Sequence, residues 1–121
     1  MLAINITERY LLYRKPTDMR KSFSALSGIV TNELKMPLHV GDVFIFLNKR
    51  RTHIKLLQFE GDGYSIYYKR LEQGTFELPV VTAQQPHAVI SCQQLTLILQ
   101  GISLKKVTWR KRFKLAERAE N

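Results

Sequence analysis

The sequence predicts an α+β fold. In this fold a small antiparallel β-meander of three to five strands packs with one helix in the N-terminal half and a short C-terminal helix. Three observations predict it: a helical repeat of apolar residues before Pro37, a run of strand-like segments across residues 43–70, and a helix-capping motif at Ser91. The 121 residues suit one domain, which we expect at 1–104, with a basic tail at 105–121.

The first strand and helix are predicted from apolar spacing and helix signals. Arg9–Tyr13 forms a short strand that Arg14, Lys15 and Pro16 end. Thr17 is a suitable N-cap, and Asp18 in the first turn would favour the positive end of the helix dipole. A helix from about Asp18 to Lys35 then accounts for the apolar residues at spacings of four, three, four and four, which are Met19, Phe23, Leu26, Val30 and Leu34.

Three strands follow in close succession. They are rich in β-branched and aromatic residues and lie at Val43–Leu47, His53–Phe59 and Tyr64–Arg70. The turn Gly61–Gly63 joins the last two strands, and Phe76–Leu78 is a candidate for a short fourth strand before a loop at Pro79–Pro86.

The last helix has a clear start and end. Ser91 and Gln94 have the spacing of a capping box, and Ile90 and Leu95 stand at the positions of a hydrophobic staple. Gly101 ends the helix.

Charge is the feature that bears most on function. Nineteen Lys and Arg against ten Asp and Glu give a net charge of +9 and a pI near 9.9. A field of this sign attracts polyanions, with nucleic acid first, an anionic membrane second and an acidic protein third. The longest apolar run, Val43–Leu47, is far shorter than the about 20 residues of a membrane span. With one cysteine, Cys92, and no signal-peptide pattern at the start, we expect a cytoplasmic protein, associated with the nucleoid when bound to DNA.

Register arithmetic predicts a basic strip on the sheet. If the turn centres on Asp62, Lys55 lies opposite Lys69, and Tyr67 shares their face of the sheet. The other face would pack on the core, and its residues are Ile54, Leu56, Ile66 and Tyr68. The strip would continue from a polar turn, and its candidate DNA-contact residues are Lys49, Arg50, Arg51, Lys55, Lys69 and Arg70. The alternative is a solvated sheet face whose lysines oppose aggregation.

The tail is a second basic element. Six cations surround Trp109, namely Lys105, Lys106, Arg110, Lys111, Arg112 and Lys114. Such residues make phosphate contacts that give affinity without sequence readout. The alternative is a solubilising tail.

Catalysis has weaker support. Asp42, Glu60 and Asp62 should meet at the sheet end away from the basic turn, where three carboxylates could hold Mg²⁺. Acidic residues are nevertheless common in turns without any metal. The three histidines lack ligand spacing, and no nucleophile triad or glycine-rich phosphate loop is present. We therefore expect no enzyme activity, no metal, no cofactor and no small-molecule substrate.

Four ordered segments resemble a known family. They are Pro16–Phe23, Gly41–Phe46, Gly61–Tyr64 and Tyr68–Phe76, and the likeness extends over about residues 9–112. The chain resembles the TnpB accessory proteins of IS66-type bacterial insertion sequences, which are distinct from the RNA-guided nucleases of the same name. It departs from their pattern at Ser22, where glycine is usual, and at Gln58–Phe59, where tryptophan is common.

The resemblance implies a small protein encoded beside a larger transposase, supporting transposition through DNA or through the transposase. Arg20 and Lys21 match the family pattern and join the candidate DNA-contact residues. The sequence thus predicts a non-catalytic accessory protein that binds double-stranded DNA mainly through phosphates, with the cognate transposase as a further partner. The alternatives are an adaptor whose basic surface meets an acidic region of the transposase, and a metal-dependent nuclease subunit.

Overall fold

The computed structural model describes residues 4–79 and 85–101. Its strands are β1 (Tyr10–Tyr13), β2 (Val43–Leu47), β3 (His53–Phe59), β4 (Tyr64–Arg70) and β5 (His87–Ile90). Its helices are α1 (Phe23–Ile29), which continues directly as a π-helical segment (Val30–Leu34), and α2 (Cys92–Gln100). The predicted α+β class is confirmed.

The five strands form one sheet in the order β4-β3-β2-β1-β5. The strands β2, β3 and β4 form the predicted antiparallel meander, and β5 pairs antiparallel with β1. The central pair differs from the expectation, because β1 runs parallel to β2, with Tyr10 opposite Val43. Every residue of these two strands is buried, as is typical of parallel strands covered on both faces.

Alternate strand residues build two cores, one on each face of the sheet. The first core packs α2 against the sheet and contains Tyr10, Leu12, Val43, Ile45, Leu47, Ile54, Leu56, Phe76, Ile90, Leu95 and Ile98. The second core lies under α1 and the π-helical segment and contains Leu11, Tyr13, Leu26, Val30, Leu34, Phe44, Phe46 and Leu57. The connection from β1 to β2 therefore crosses the second face, and α2 covers the first.

The first helix begins five residues later than predicted. Its N-cap is Ser22, whose side chain makes no capping hydrogen bond, and Thr17 is instead buried, with its N–H bonded to the carbonyl of Leu47 at 2.8 Å. Asp18 lies outside the helix and accepts a hydrogen bond from the N–H of Arg20 at 2.8 Å. We name residues 16–22 the N-terminal segment. Its backbone forms hydrogen bonds, such as the one from Thr17 to Leu47, that would be lost if these residues were helical. The exposed fraction of Phe23, 48%, shows that the apolar repeat overstated the buried face.

The predicted register of β3 against β4 is wrong by one residue. Phe59 pairs with Tyr64, and the N–H of Glu60 bonds to the carbonyl of Gly63, so the turn has four residues and does not centre on Asp62. Lys55 consequently lies opposite Tyr68, and Lys69 lies opposite Ile54. Because neighbouring residues of a strand point to opposite faces, a shift of one residue exchanges the faces of β4. Ile66 and Tyr68 share the face of Lys55, whereas Tyr67 and Lys69 share the first core's face.

At the C-terminal side, α2 is confirmed and β5 was not predicted. The N–H of Gln94 bonds to Ser91 Oγ and the N–H of Ser91 bonds to Gln94 Oε1, which is the expected capping box. Gly101 ends the helix in the left-handed conformation, with φ of 74°. Phe76 is fully buried but belongs to no strand.

A tyrosine–carboxylate contact joins β1 to the π-helical segment. The hydroxyl of Tyr13 donates to Glu33 Oε2 at 2.6 Å, and burial, followed by this hydrogen bond, raises the pKa of Tyr13 to about 12. In the unfolded chain the pKa of Tyr13 would be near 10.0. The stabilisation that accompanies the raised pKa is therefore complete below pH 10 and disappears as the pH rises towards 12.

We expect an alkaline absorbance titration at 295 nm to show one of the five tyrosines ionising near pH 12. In Glu33→Gln this late component should move to lower pH, because the neighbouring negative charge is removed while the burial remains. A Glu60→Gln variant, which changes an exposed carboxylate elsewhere, is the matched control. A late component unchanged by Glu33→Gln would contradict the assignment.

Candidate nucleic-acid interface

The parallel pairing of β1 with β2 brings two basic segments to one end of the sheet. The carboxyl ends of parallel strands lie at the same edge, so residues that follow β1 stand beside residues that follow β2. The end of β4 joins them, since Arg70 pairs with the first residue of β3. We name this surface the basic end; its exposed cations are Arg14, Lys15, Lys49, Arg50, Arg51 and Arg70.

The turn between β2 and β3 is held by Asn48. Its Oδ1 accepts hydrogen bonds from the N–H groups of Thr52 and His53 at 2.9 and 3.0 Å, and its carbonyl accepts from the N–H of Arg51 at 3.0 Å. Arg51 is in the left-handed region with φ of 58°, and its carbonyl accepts a hydrogen bond from the N–H of Phe76. The polar turn that the sequence predicted is therefore a fixed structure.

The cations of the basic end differ in their partners. Lys15 pairs with Glu33 at 3.3 Å and Arg70 pairs with Glu72 at 2.9 Å. Arg14 donates to the carbonyl of Gln85 at 3.0 Å. By contrast, no carboxylate within residues 4–79 and 85–101 forms an ion pair with the remaining three, Lys49, Arg50 and Arg51. These three are the charges most available to an external anion.

Lys55, a predicted contact residue, is not on the surface. Only 7% of it is exposed, and its ammonium donates to the carbonyls of Met19 and Lys21 at 2.8 and 2.7 Å. The ammonium also lies 4.7 Å from the centroid of the Tyr68 ring. A buried ammonium needs such partners to offset its desolvation. Lys55 therefore fastens the N-terminal segment to β3, and its charge is used inside the protein.

Lys69 also has an internal role. It lies on the opposite face from Lys55, and its ammonium donates to the carbonyl of Leu99 at 2.8 Å, in the last turn of α2. A cation there satisfies a free carbonyl and interacts favourably with the helix dipole. The predicted strip that joined Lys55 to Lys69 is thus wrong, because the register places them on different faces.

This contact also locates the end of α2. Because Lys69 precedes Arg70 on β4, α2 ends beside the basic end, and the described residues end there at Gly101. The six predicted contact residues of the tail lie outside the described residues, and they are Lys105, Lys106, Arg110, Lys111, Arg112 and Lys114.

Arg20 and Lys21 lie in the N-terminal segment and are exposed. Arg20 pairs with Asp18 at 2.6 Å, and this ion pair, with the N–H of Arg20, lowers the pKa of Asp18 to about 2. Lys21 has no ion-pair partner among the residues that the structure describes. The charge of Lys21 nevertheless acts at longer range on Asp18 and Glu33, where it helps to lower the pKa of both carboxyl groups.

A cleft of about 410 Å³ separates the N-terminal segment from the Asn48 turn. Its lining residues come from the two sides and the start of β3, and they are Pro16, Thr17, Asp18, Met19, Asn48, Lys49, Arg50 and His53. Sequence reasoning missed this cleft, because it depends on the 16–22 segment being non-helical.

The acidic residues gather at the other end of the sheet, as predicted, but they are not equivalent. Asp42 is buried and accepts hydrogen bonds from Arg9 Nε at 3.0 Å and from the N–H of His39 at 2.9 Å. This contact raises the pKa of Arg9. Glu60 and Asp62 are exposed, and within the described ranges no three His, Cys, Asp or Glu side chains form a group that could hold a metal ion. The carboxylate of Asp42 serves an internal ion pair.

Comparison with known proteins identifies the family. The model of the IS66 Orf2 like protein family matches residues 8–109, and the chain belongs to this family of insertion-sequence accessory proteins. It is 33% identical over 96 residues to the uncharacterized protein y4hO of Sinorhizobium fredii, covering 78% of this chain and 82% of that protein. It is 27% identical over 99 residues to the uncharacterized protein y4jC of the same organism, covering 82% of this chain and 83% of that protein. No solved structure matches the chain.

Among the described helices, none has the length and apolar character needed to cross a membrane.

We expect Lys55→Met to lower the free energy of unfolding by about 2 kcal/mol, because the carbonyls of Met19 and Lys21 lose their donor. Urea denaturation measures this difference. Lys21→Met, at an exposed lysine that forms no ion pair with the described residues, should change stability by less than about 0.5 kcal/mol. Equal stability of the two variants would show that Lys55 does not fasten the segment.

Proposed function

We propose that this insertion-sequence accessory protein is a non-catalytic factor that binds double-stranded DNA through phosphate contacts at its basic end. The observation that carries the proposal is the run Lys49–Arg51, three exposed cations without a carboxylate partner among the described residues. The parallel strands place Arg14 and Lys15 beside this run. A cluster of cations at one edge of a fold is the electrostatic footprint of a nucleic-acid-binding surface.

Phosphate contacts also suit the shape and charge of the molecule. In the part of the chain that the structure describes, these cations lie on a fixed turn and at strand ends, a position suited to contacts with the DNA backbone. Backbone binding of this kind is independent of sequence and depends steeply on salt. The tail would extend the same surface, since α2 ends next to it and six further cations follow in the sequence. In this proposal the protein acts in the bacterial cytoplasm, on DNA and together with the transposase.

A feature of the sheet favours a second candidate, an adaptor that binds the transposase. β4 is an edge strand whose outer side pairs with no strand in the described part of the chain, and 50% of its Tyr68 is exposed. Unpaired strand edges accept an extended segment of a partner by adding it to the sheet. In that case the protein would bind transposase with little or no affinity for DNA.

Salt titration with random duplex DNA tests the basic end. Each phosphate neutralised contributes about 0.9 to the slope of log K against log salt concentration. Lys49→Gln should therefore lower the slope by about 0.9, because Lys49 has no competing partner in the described structure.

Lys35→Gln is the matched control for this titration. Lys35 is also exposed and unpaired among the described residues, but it lies two residues from Pro37, whose carbonyl accepts from Arg9 at the opposite end of the sheet. We expect it to leave the slope unchanged. A slope near zero in the unmodified protein would refute DNA binding and favour the adaptor, and equal losses in both variants would refute the location.

Truncation tests the tail separately. Removing residues 105–121 should lower the slope by about 0.9 for each tail cation that contacts a phosphate. Removing only 115–121 keeps the six clustered cations and should leave the slope nearly intact. The tail has no part in binding if the longer truncation behaves like the shorter one.

A further inference from the structure

The cleft beside the Asn48 turn is a wide, open depression of about 410 Å³. The N-terminal segment forms one side, and the Asn48 turn with the start of β3 forms the other. It opens at the basic end, so a group bound there would be part of the DNA contact proposed above.

The Asn48 turn contacts the Nδ1 side of the His53 ring. Two backbone N–H groups occupy Asn48 Oδ1, so the amide Nδ2 points the other way, to Thr52 Oγ1 at 3.0 Å and His53 Nδ1 at 3.2 Å. Thr52 Oγ1 also lies 2.8 Å from His53 Nδ1, so this side of the imidazole ring is engaged within the turn. Nε2 has no partner among the described residues, and His53 is one of the residues that line the cleft.

The charges of the lining leave a surplus of positive charge. Asp18 is the lining carboxylate, and its partner Arg20 holds it through bonds of 2.6, 3.0 and 3.1 Å from the guanidinium. Lys49 and Arg50 have no such partner in the described structure. An anion entering the cleft thus meets two cations that form no ion pair in the described structure, beside the imidazole of His53.

Both sides of the cleft are held before any ligand arrives. Lys55 fastens the N-terminal segment through the carbonyls of Met19 and Lys21, and the N–H of Thr17 is bonded to the carbonyl of Leu47. Asn48 holds the other side. Because the backbone on both sides is already held, binding costs little backbone entropy, and the cost that remains is the ordering of the exposed side chains of Lys49 and Arg50.

We propose that this cleft seats one phosphate group of a DNA strand, with Lys49 and Arg50 supplying charge and His53 Nε2–H a directional hydrogen bond. The inference rests on the proposed function, since it assigns one particular phosphate position within the basic end. The phosphate is either a diester of the continuous backbone or a monoester at a 5′ end.

The first test uses the full-length protein and inorganic phosphate. In ¹H–¹⁵N NMR titrations at constant ionic strength, phosphate should cause saturable shifts of His53 Nε2 and of the amides of residues 48–50. The amide of Lys35, at the other end of the sheet, should follow only the bulk solution. Absence of saturable shifts at the cleft would overturn the inference.

The second test uses His53→Phe, which keeps an aromatic ring beside Tyr68, 6.0 Å away between centroids, and removes the donor. Binding is compared for one short duplex with 5′-phosphate or 5′-hydroxyl ends. If the monoester occupies the cleft, the 5′-phosphate should strengthen binding about three- to tenfold in the unmodified protein only. If the diester occupies it, both duplexes should bind equally, and His53→Phe should weaken both by a similar factor.

Unchanged binding of both duplexes by His53→Phe would overturn the role of His53, with far-ultraviolet circular dichroism confirming that the variant is folded. This failure is distinct from failure of the proposed function. If only the cleft assignment is wrong, Lys49→Gln should still lower the salt slope and Lys35→Gln should still leave it unchanged. If the affinity of the unmodified protein for DNA does not depend on salt, the proposed function and the cleft assignment both fail.

Discussion

Parallel pairing between β1 and β2 positions nearly everything else in this protein. Because Tyr10 lies opposite Val43 and both strands run the same way, the residues after β1 and the residues after β2 share one end of the sheet. An antiparallel β1 would carry Arg14 and Lys15 to the end where Asp42 is buried. The same pairing requires a crossover, and α1 with the π-helical segment supplies it by packing Leu26, Val30 and Leu34 on the second face. The basic end is therefore a consequence of strand direction.

The lysines of the sheet show why the net charge overstates the number of cations that are free to bind an external anion. Lys55 and Lys69 count equally with Lys49 in the total of +9, yet each of the first two donates to backbone carbonyls inside the fold. An ammonium removed from water must find such acceptors or lose its charge. Exposure and the absence of a described partner, which separate Lys49, Arg50 and Arg51 from the others, are better guides to an interface than composition.

The family gives this geometry a biological setting. Members of the IS66 Orf2 like family are insertion-sequence accessory proteins, and the family match spans residues 8–109, which takes in the whole sheet and both helices. The structure divides the molecule into an end with free cations and an end where a buried carboxylate is paired with Arg9. In the proposed function DNA meets the basic end, which leaves the opposite end and the free edge of β4 for a protein partner.

Local patterns determined the parts of this protein that depend on neighbouring residues. The α+β class, the bounds of β2, β3 and β4, and the capping box of α2 all follow from alternation, turn residues and short-range hydrogen bonds. The tertiary structure alone decided the direction of β1, the existence of β5, the late start of α1 and the register that separates Lys55 from Lys69. Each of these depends on partners distant in sequence, such as Leu47 for Thr17 and Met19 for Lys55. The cleft at His53 belongs to this second group, because its two sides meet only when β1 and β2 lie side by side.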